Sequence, residues 1–467
     1  MTRFNQQVKI PKTANKAGGE AYSQTPELSL VSLLLTSFAN DQYYRSADDA
    51  FNELKQLIAS TDKLFVAKAI VYARTQFGMR SISHVAASEL AKYISKETWA
   101  KSFYSAVVRR PDDMCEILAY HYQANGKPTN AMKKGLALAF NKFDEYQLAK
   151  YKMEGKGVSL IDVVNLVHPI PNEKNGDALK LLVKGGLKSK DTWESELSSS
   201  GGDAELKKEV WVRLIKERKI GYFALLRNMR NILEQSPDIV EEACALLTDE
   251  SLIKSSLVLP FRFTTAYQEI ERLSSAKVRD VLVAISKAVD VSLGNVPVLS
   301  GKTLVALDVS GSMRGKPSDI GSLFAAVLCK SNNCDLLTFD NSGRYVNFNP
   351  LDSTITIRRS IPFNGGGTDF NAIFLAARHK YDRIIILSDM QAWIGGHVPS
   401  VSFNAYKQRT GANPVIYTFD LQGYGTMQFP ENNVYALTGF SEKIFDIMAM
   451  LESDRKAMIN SIKSFEF

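Results

Sequence analysis

Cysteine is scarce and scattered. The chain of 467 residues holds four, at Cys115, Cys244, Cys329 and Cys334, with no CxxC pair. That argues against a disulfide framework or a zinc site and fits reduced thiols in a cytoplasmic protein. Long apolar runs are missing too. The longest, such as Val31 to Leu35, fall far short of the roughly 20 residues that span a bilayer. The first stretch, MTRFNQQVKIPKTANKAGGE, lacks the apolar centre of a signal peptide. Residues 1–27 are therefore read as an arm that drapes over the fold or stays mobile. A phosphate-binding P-loop is also absent, despite Gly301-Lys302-Thr303. The motif needs glycine where Val296 stands, and the tripeptide precedes a strand instead of opening a helix.

Acidic residues fall short of basic ones. Fifty Asp and Glu face 57 Lys and Arg, for a net charge of +7, which permits a polyanionic partner without proving one. The excess is uneven: from Lys55 to Arg110 only Asp62, Glu89 and Glu97 oppose a long series of lysines and arginines.

What the chain does have is periodicity. From residue 28 to 290 apolar residues recur at three- and four-residue spacing, as in Leu54, Leu57, Ile58 and Phe65, Ala69, Tyr72, Ala73. Breaks at Gly78, Pro111 and Gly126-Lys127-Pro128 cut this into helices of roughly 10–16 residues, the succession expected of HEAT-like repeats. Residues 291–301, VSLGNVPVLSG, read as a linker. Over 302–467 strands and helices alternate. LVALD, CDLLTFD, RYVNFN, RIIILSD, VIYTFDL and VYALTG are the strands. The helices are Asp319 to Cys329, Thr368 to Ala377 and a closing one over Ser441 to Phe465. Buried strands alternating with helices imply a doubly wound sheet, whose ligands gather at the carboxyl ends of its strands.

Asp308 and Asp389 both stand at such ends. Asp308, Ser310 and Ser312 form Asp-x-Ser-x-Ser, the loop GGGTD brings Thr368, and IIILSD ends in Asp389. Two carboxylates and three hydroxyls suit a hard cation that keeps positions open for water or a partner's oxygen. The set resembles the metal-ion-dependent adhesion site of von Willebrand factor A (vWA) domains, which implies Mg²⁺ or another divalent cation. No histidine or lysine base lies in these segments, so the reading is capture and not turnover.

A helical half joined to such a domain resembles the TROVE family of Ro ribonucleoprotein autoantigens, in its bacterial and phage forms. Further marks are YARTQFGMRSISHVAASELA (Tyr72 to Ala91), IDVVNLVHPIP (Ile161 to Pro171), GYFALLRNMRNI (Gly221 to Ile232) and LPFRFTTAY (Leu259 to Tyr267). The resemblance implies a monomeric ring of helical repeats followed by a vWA-like domain. It also implies small non-coding Y-like RNA on the outer surface and single-stranded ends of misfolded RNA in the central hole. An exoribonuclease tethered through RNA and a part in RNA quality control or decay belong to the same expectation. Lys150 and His168 match the family's Y RNA-contacting stretch, with Tyr151, Lys152 and Lys156 beside them. Arg74, Arg80, His84, Arg109, Arg110, Arg227 and Arg230 are further candidates, since cations hold phosphates and rings stack on unpaired bases. A second reading is a Mg²⁺-dependent module that captures an acidic protein ligand without RNA.

Overall fold

The computed structural model describes residues 12–14, 20–23, 25–36, 47–153, 157–187, 197, 201, 203–332, 334–392, 399–422, 426–427, 434–438, 448 and 457–467. Two compact units result. The first comprises Met1–Lys190, Asp389–Gln391 and Phe419–Phe467, the second Asp191–Ser388 and Ala392–Thr418.

In the first unit the N-terminal residues form strands β1 (Lys12–Ala14) and β2 (Glu20–Ser23), antiparallel to one another. β2 pairs in turn with Thr426–Met427. The arm is thus a sheet element. Helices follow from Pro26 onward, and several N-termini are set by local side-chain caps. Asp62 accepts from the Phe65 N–H at 2.8 Å to cap Lys63–Gln76, and Thr129 and Ser159 cap Asn130–Ala139 and Leu160–Val167 in the same manner. Buried faces carrying Phe65, Ile70, Phe103, Ile117, Leu118 and Leu136 make the core. Of the expected closing helix, Ala457–Ser464 and Met448 lie among the described residues. Ala457–Ser464 packs on Lys63–Gln76, where Lys463 pairs with Glu27 at 2.8 Å and Phe465 meets the Tyr72 ring edge-on at 5.8 Å.

Helix Asn130–Ala139 crosses Ala100–Val107 at Gly135, where an added methyl would lie 2.5 Å from Tyr104 Cβ and 2.7 Å from the Lys101 carbonyl oxygen. Backbone cannot yield as a side chain can. Gly135→Ala is therefore expected to lower unfolding free energy by about 1–3 kcal/mol, the usual cost of overpacking. A urea titration followed by circular dichroism would check it, and an unchanged midpoint would contradict the close approach.

The second unit buries Trp211, Leu225, Met229, Val240, Phe263 and Ile285 in one core. Its strands β3 (Thr303–Asp308), β4 (Cys334–Phe339), β5 (Gly343–Val346), β6 (Arg383–Ser388) and β7 (Val415–Asp420) stand in the order β5-β4-β3-β6-β7. β3 is parallel to both β4 and β6, and β5 is antiparallel to β4. Every residue of β3 and β6 is buried, as strands covered on both faces must be. Helix Lys316–Ser331 carries the chain from β3 to β4 on one side, whereas β6 lies on the other. The topological switch point is therefore the β3–β6 edge.

Residues 291–301 are tied to their surroundings by hydrogen bonds. Helix Val278–Ser292 runs into them, Asn295 donates to the Ile253 and Val258 carbonyls, and the Leu299 N–H reaches Asn332 Oδ1 at 2.6 Å. Asp290 accepts from Lys330 Nζ (3.0 Å) and from the Thr354 N–H and hydroxyl, and Phe261 stacks on Phe324 at 5.2 Å. The last helices before the sheet and the sheet layer share one hydrogen-bonded framework. The expected helix from Thr368 starts later, at Asn371, because Asp369 Oδ1 takes the Asn371 N–H and side-chain amide in a turn.

Candidate metal centre and nucleic-acid interface

β3 delivers Asp308 fully buried to the switch point. Asp308 Oδ1 accepts from the Ser310 N–H at 2.9 Å, which bends the chain into the turn Gly311–Met313. Ser310 Oγ and Ser312 Oγ stand 3.3 Å apart. An octahedral Mg²⁺ shell with oxygens at about 2.1 Å separates neighbouring ligands by about 3.0 Å, so the two hydroxyls are spaced as adjacent ligands would be. The glycine loop is bonded to this turn twice, by the Gly311 N–H to the Gly366 carbonyl and the Gly365 N–H to the Val309 carbonyl, both at 2.9 Å. That seats Thr368, 1% exposed, on the same loop. Asp389 follows the last residue of β6, is fully buried, and takes the Gln391 N–H on Oδ1 at 3.2 Å. Hard oxygen donors and no soft ligand fit a hard divalent cation.

Two supporting residues escape a reading by motif. Ser388 Oγ donates to Asp308 Oδ2 at 2.6 Å and orients the carboxylate. Asn341 Oδ1 accepts from the Gly367 N–H at 2.9 Å and holds the glycine loop from the β4–β5 turn. The serine before Asp389 at the end of a buried strand is a signal that sequence could have given. The Asn341 contact has none.

The candidate RNA residues divide sharply. Arg74 (9% exposed) and His84 (2%) are buried on carboxylates of helix Pro111–Asn125. Asp113 accepts from Arg74 Nη2 at 2.8 Å, Arg80 Nε at 3.0 Å and the Arg109 and Arg110 N–H groups, with His84 Nε2 at 3.3 Å. Arg80 also bridges Asp112 and Glu116, and His84 Nδ1 sits 2.9 Å from Glu116 Oε2. All three pair with carboxylates of this unit; Arg74 and His84 are buried, whereas the Arg80 side chain keeps 29% of its surface exposed. Burial acts to raise the Asp113 carboxyl, yet His84, Arg74 and the Arg109 N–H outweigh it and hold the group well below the usual carboxylate range. Burial likewise works against the His84 imidazolium, but Asp113 and Glu116 together raise its pKa.

Two other candidate cations stand at Tyr151, the residue that closes helix Glu145–Lys150. The Arg110 guanidinium lies 4.5 Å over the Tyr151 ring while donating to Asp112, and Lys150 Nζ stands 5.7 Å from the same ring and 5.8 Å from Tyr146. Arg109, the residue before Arg110, is exposed. Lys142, which the motif reading missed, reaches back to the Ser105 and Val108 carbonyls, and burial, with Arg109 adding to it, lowers its pKa to about 8. Lys152 is half-buried and donates to the Leu187 carbonyl at 2.9 Å. His168 is exposed and ends helix Leu160–Val167 in the left-handed region (φ 46°), its N–H on the Val164 carbonyl. It caps and faces solvent at once. Lys156 lies outside the described residues. In the second unit Arg227 and Arg230 are both exposed on helix Tyr222–Gln235, with Arg230 paired to Glu234 and Glu269.

The sequence model of the TROVE domain matches residues 29–185 and 183–291, more than half of the chain. The chain belongs to the TROVE-domain family. This TROVE protein is 24% identical over 472 aligned positions to "RNA-binding protein RO60" of Deinococcus radiodurans, covering 87% of this chain and 88% of that one. It is 22% identical over 343 positions to "Telomerase protein component 1" of Rattus norvegicus, covering 54% of this chain but only 13% of that protein's length. Among solved structures, the D. radiodurans RO (RSR) protein superposes with a TM-score of 0.64 at 20% identity, covering 91% of this chain and 99% of the other. The likeness bears out the fold class, a helical-repeat part followed by a vWA-like α/β part. No helix among the described residues of this TROVE protein is long and apolar enough to cross a membrane.

Proposed function

We propose that this TROVE protein is an RNA-binding scaffold of the Ro type and not an enzyme. The observation that carries the reading is the pair of cations at Tyr151, with Arg110 over the ring and Lys150 beside it, and with Arg109 and His168 exposed. Cations at a ring supply phosphate attraction and a stacking face together, which is what structured RNA with unpaired bases takes. Family membership and the name of the D. radiodurans relative support it. A small Y-like RNA is the ligand proposed for this surface, and single-stranded ends of misfolded RNA are proposed as a second ligand class. A role in RNA quality control, with an exoribonuclease tethered through RNA, follows from those two ligands. Sequencing RNA that copurifies with the native protein tests the reading: enrichment of small structured RNA is expected, and nucleic-acid-free protein would refute it.

The metal reading is proposed separately. Asp308, Ser310, Ser312, Thr368 and Asp389 would hold Mg²⁺, which supplies a fixed positive centre for an anionic ligand. Magnesium at tenfold above its Kd should stabilise the fold by about 1.4 kcal/mol. Asp308→Asn keeps the side chain's shape but removes the charge, so its melting temperature should not respond to Mg²⁺. An equal response in variant and wild type would remove Asp308 from the site.

A further inference from the structure

The lip of the oxygen site carries a cation that the metal reading does not use. Arg314 follows the Gly311–Met313 turn and is exposed, with its guanidinium laid against Gly365. A methyl placed on Gly365 would stand 2.6 Å from Arg314 Nη2 and 3.2 Å from its Cζ and Nε. Gly365 also holds φ at +76°, a backbone conformation that favours glycine. The loop beneath the guanidinium is the one bonded to Val309 and Gly311, and it leads three residues later to Thr368. Among the described residues Arg314 makes no ion pair and no side-chain hydrogen bond. An exposed planar fork of donors beside this loop, with its hydrogen bonds unspent, is suited to receive an anion.

We propose that Arg314 and the cation site of Asp308, Ser310, Ser312 and Thr368 together form a two-point receptor for a terminal phosphate group. This rests on the metal reading above. A carboxylate that gives one oxygen to a cation has a single oxygen left for the guanidinium. A phosphomonoester in the same place keeps enough oxygens for the bidentate contact that arginine favours. Charge points the same way. Asp308 already offsets part of the charge of a divalent cation, so an arriving dianion gains from the extra positive charge that Arg314 brings. Inorganic phosphate and the phosphorylated end of an RNA strand share this chemistry.

The test uses the full chain loaded with Mn²⁺, whose binding is read from the loss of the free-ion electron paramagnetic resonance signal. Phosphate binding is then read from ³¹P line broadening by the bound ion. Wild-type protein is expected to bind inorganic phosphate roughly 10- to 100-fold more tightly than Arg314→Ala, the worth of charge-assisted hydrogen bonds. Arg314→Lys should fall between, and Mn²⁺ binding should be equal in all three. Acetate should compete weakly. Displacement of phosphate by 5′-phosphorylated RNA, but not by the 5′-hydroxyl strand, would assign the receptor to RNA ends. Displacement by neither strand would leave a small phosphate as its ligand. Equal phosphate affinity in wild type and Arg314→Ala, or acetate as effective as phosphate, overturns the receptor while the metal reading stands. Wild-type protein that leaves the Mn²⁺ signal unchanged overturns both.

Discussion

Asp113→Ala should unfold the first unit more readily than any other single change considered, by about 3–5 kcal/mol, because it strands a buried charge. Asp113 has no exposed surface and Arg74 is 9% exposed, so neither water nor salt can replace the lost pairing. The same carboxylate receives the Arg109 and Arg110 N–H groups that open helix Pro111–Asn125, and these would lose their acceptor too. For a unit of this size the loss corresponds to a fall of about 6–20 °C in melting temperature. Calorimetry would measure it, and a shift under 2 °C would show that the cluster contributes little.

The cluster also fixes how stability depends on pH. Asp113 has a depressed pKa in the folded state, so its contribution is complete above the unfolded carboxylate value of about 3.9 and is lost as pH falls below it. His84 has a raised pKa, so its contribution is complete below the unfolded value of about 6.5 and is lost as pH rises through the folded one. Between these limits both contribute. Asp113→Asn should flatten both arms of the profile, since it removes one group and the chief partner of the other.

RNA affinity should fall roughly 10- to 100-fold in the double variant Arg109→Glu/Lys150→Glu near 0.15 M salt, with the salt slope reduced by about 2. Lys150 stands 5.7 Å from the Tyr151 ring, and Arg109 is exposed. The melting temperature should stay within a degree or two, which separates lost contact from lost fold. Reversing Arg80 instead would confound the two, since its guanidinium holds Asp112, Asp113 and Glu116. Unchanged affinity in the double variant would move the RNA surface elsewhere.

The vWA-like part was legible because its signals are local. Continuous apolar runs mark β3 and β6, and each leads directly to an aspartate, so strand, terminus and candidate residue are read from one short stretch. The Asp-x-Ser-x-Ser turn needs no distant partner to form. The basic residues were harder. Sequence showed that Arg74, Arg80 and His84 share a region poor in acids, but their carboxylates stand 32 to 39 residues away on another helix. A charge looks available until its partner is found across the fold. Residues 291–301 show the same limit: Gly, Pro and Ser mark a break in the helical rhythm, but the bonds that hold Asn295 and Leu299 to the Ile253 and Val258 carbonyls and to Asn332 lie far off in sequence.

The central claim is that this chain grips RNA through phosphates, and the salt dependence of binding addresses it most directly. A labelled small structured RNA titrated with the full-length protein should give log Kobs falling linearly with log salt, at a slope of about −3 or steeper for four or more phosphate contacts. Affinity that is absent at low salt, or that does not change with salt, would contradict the account.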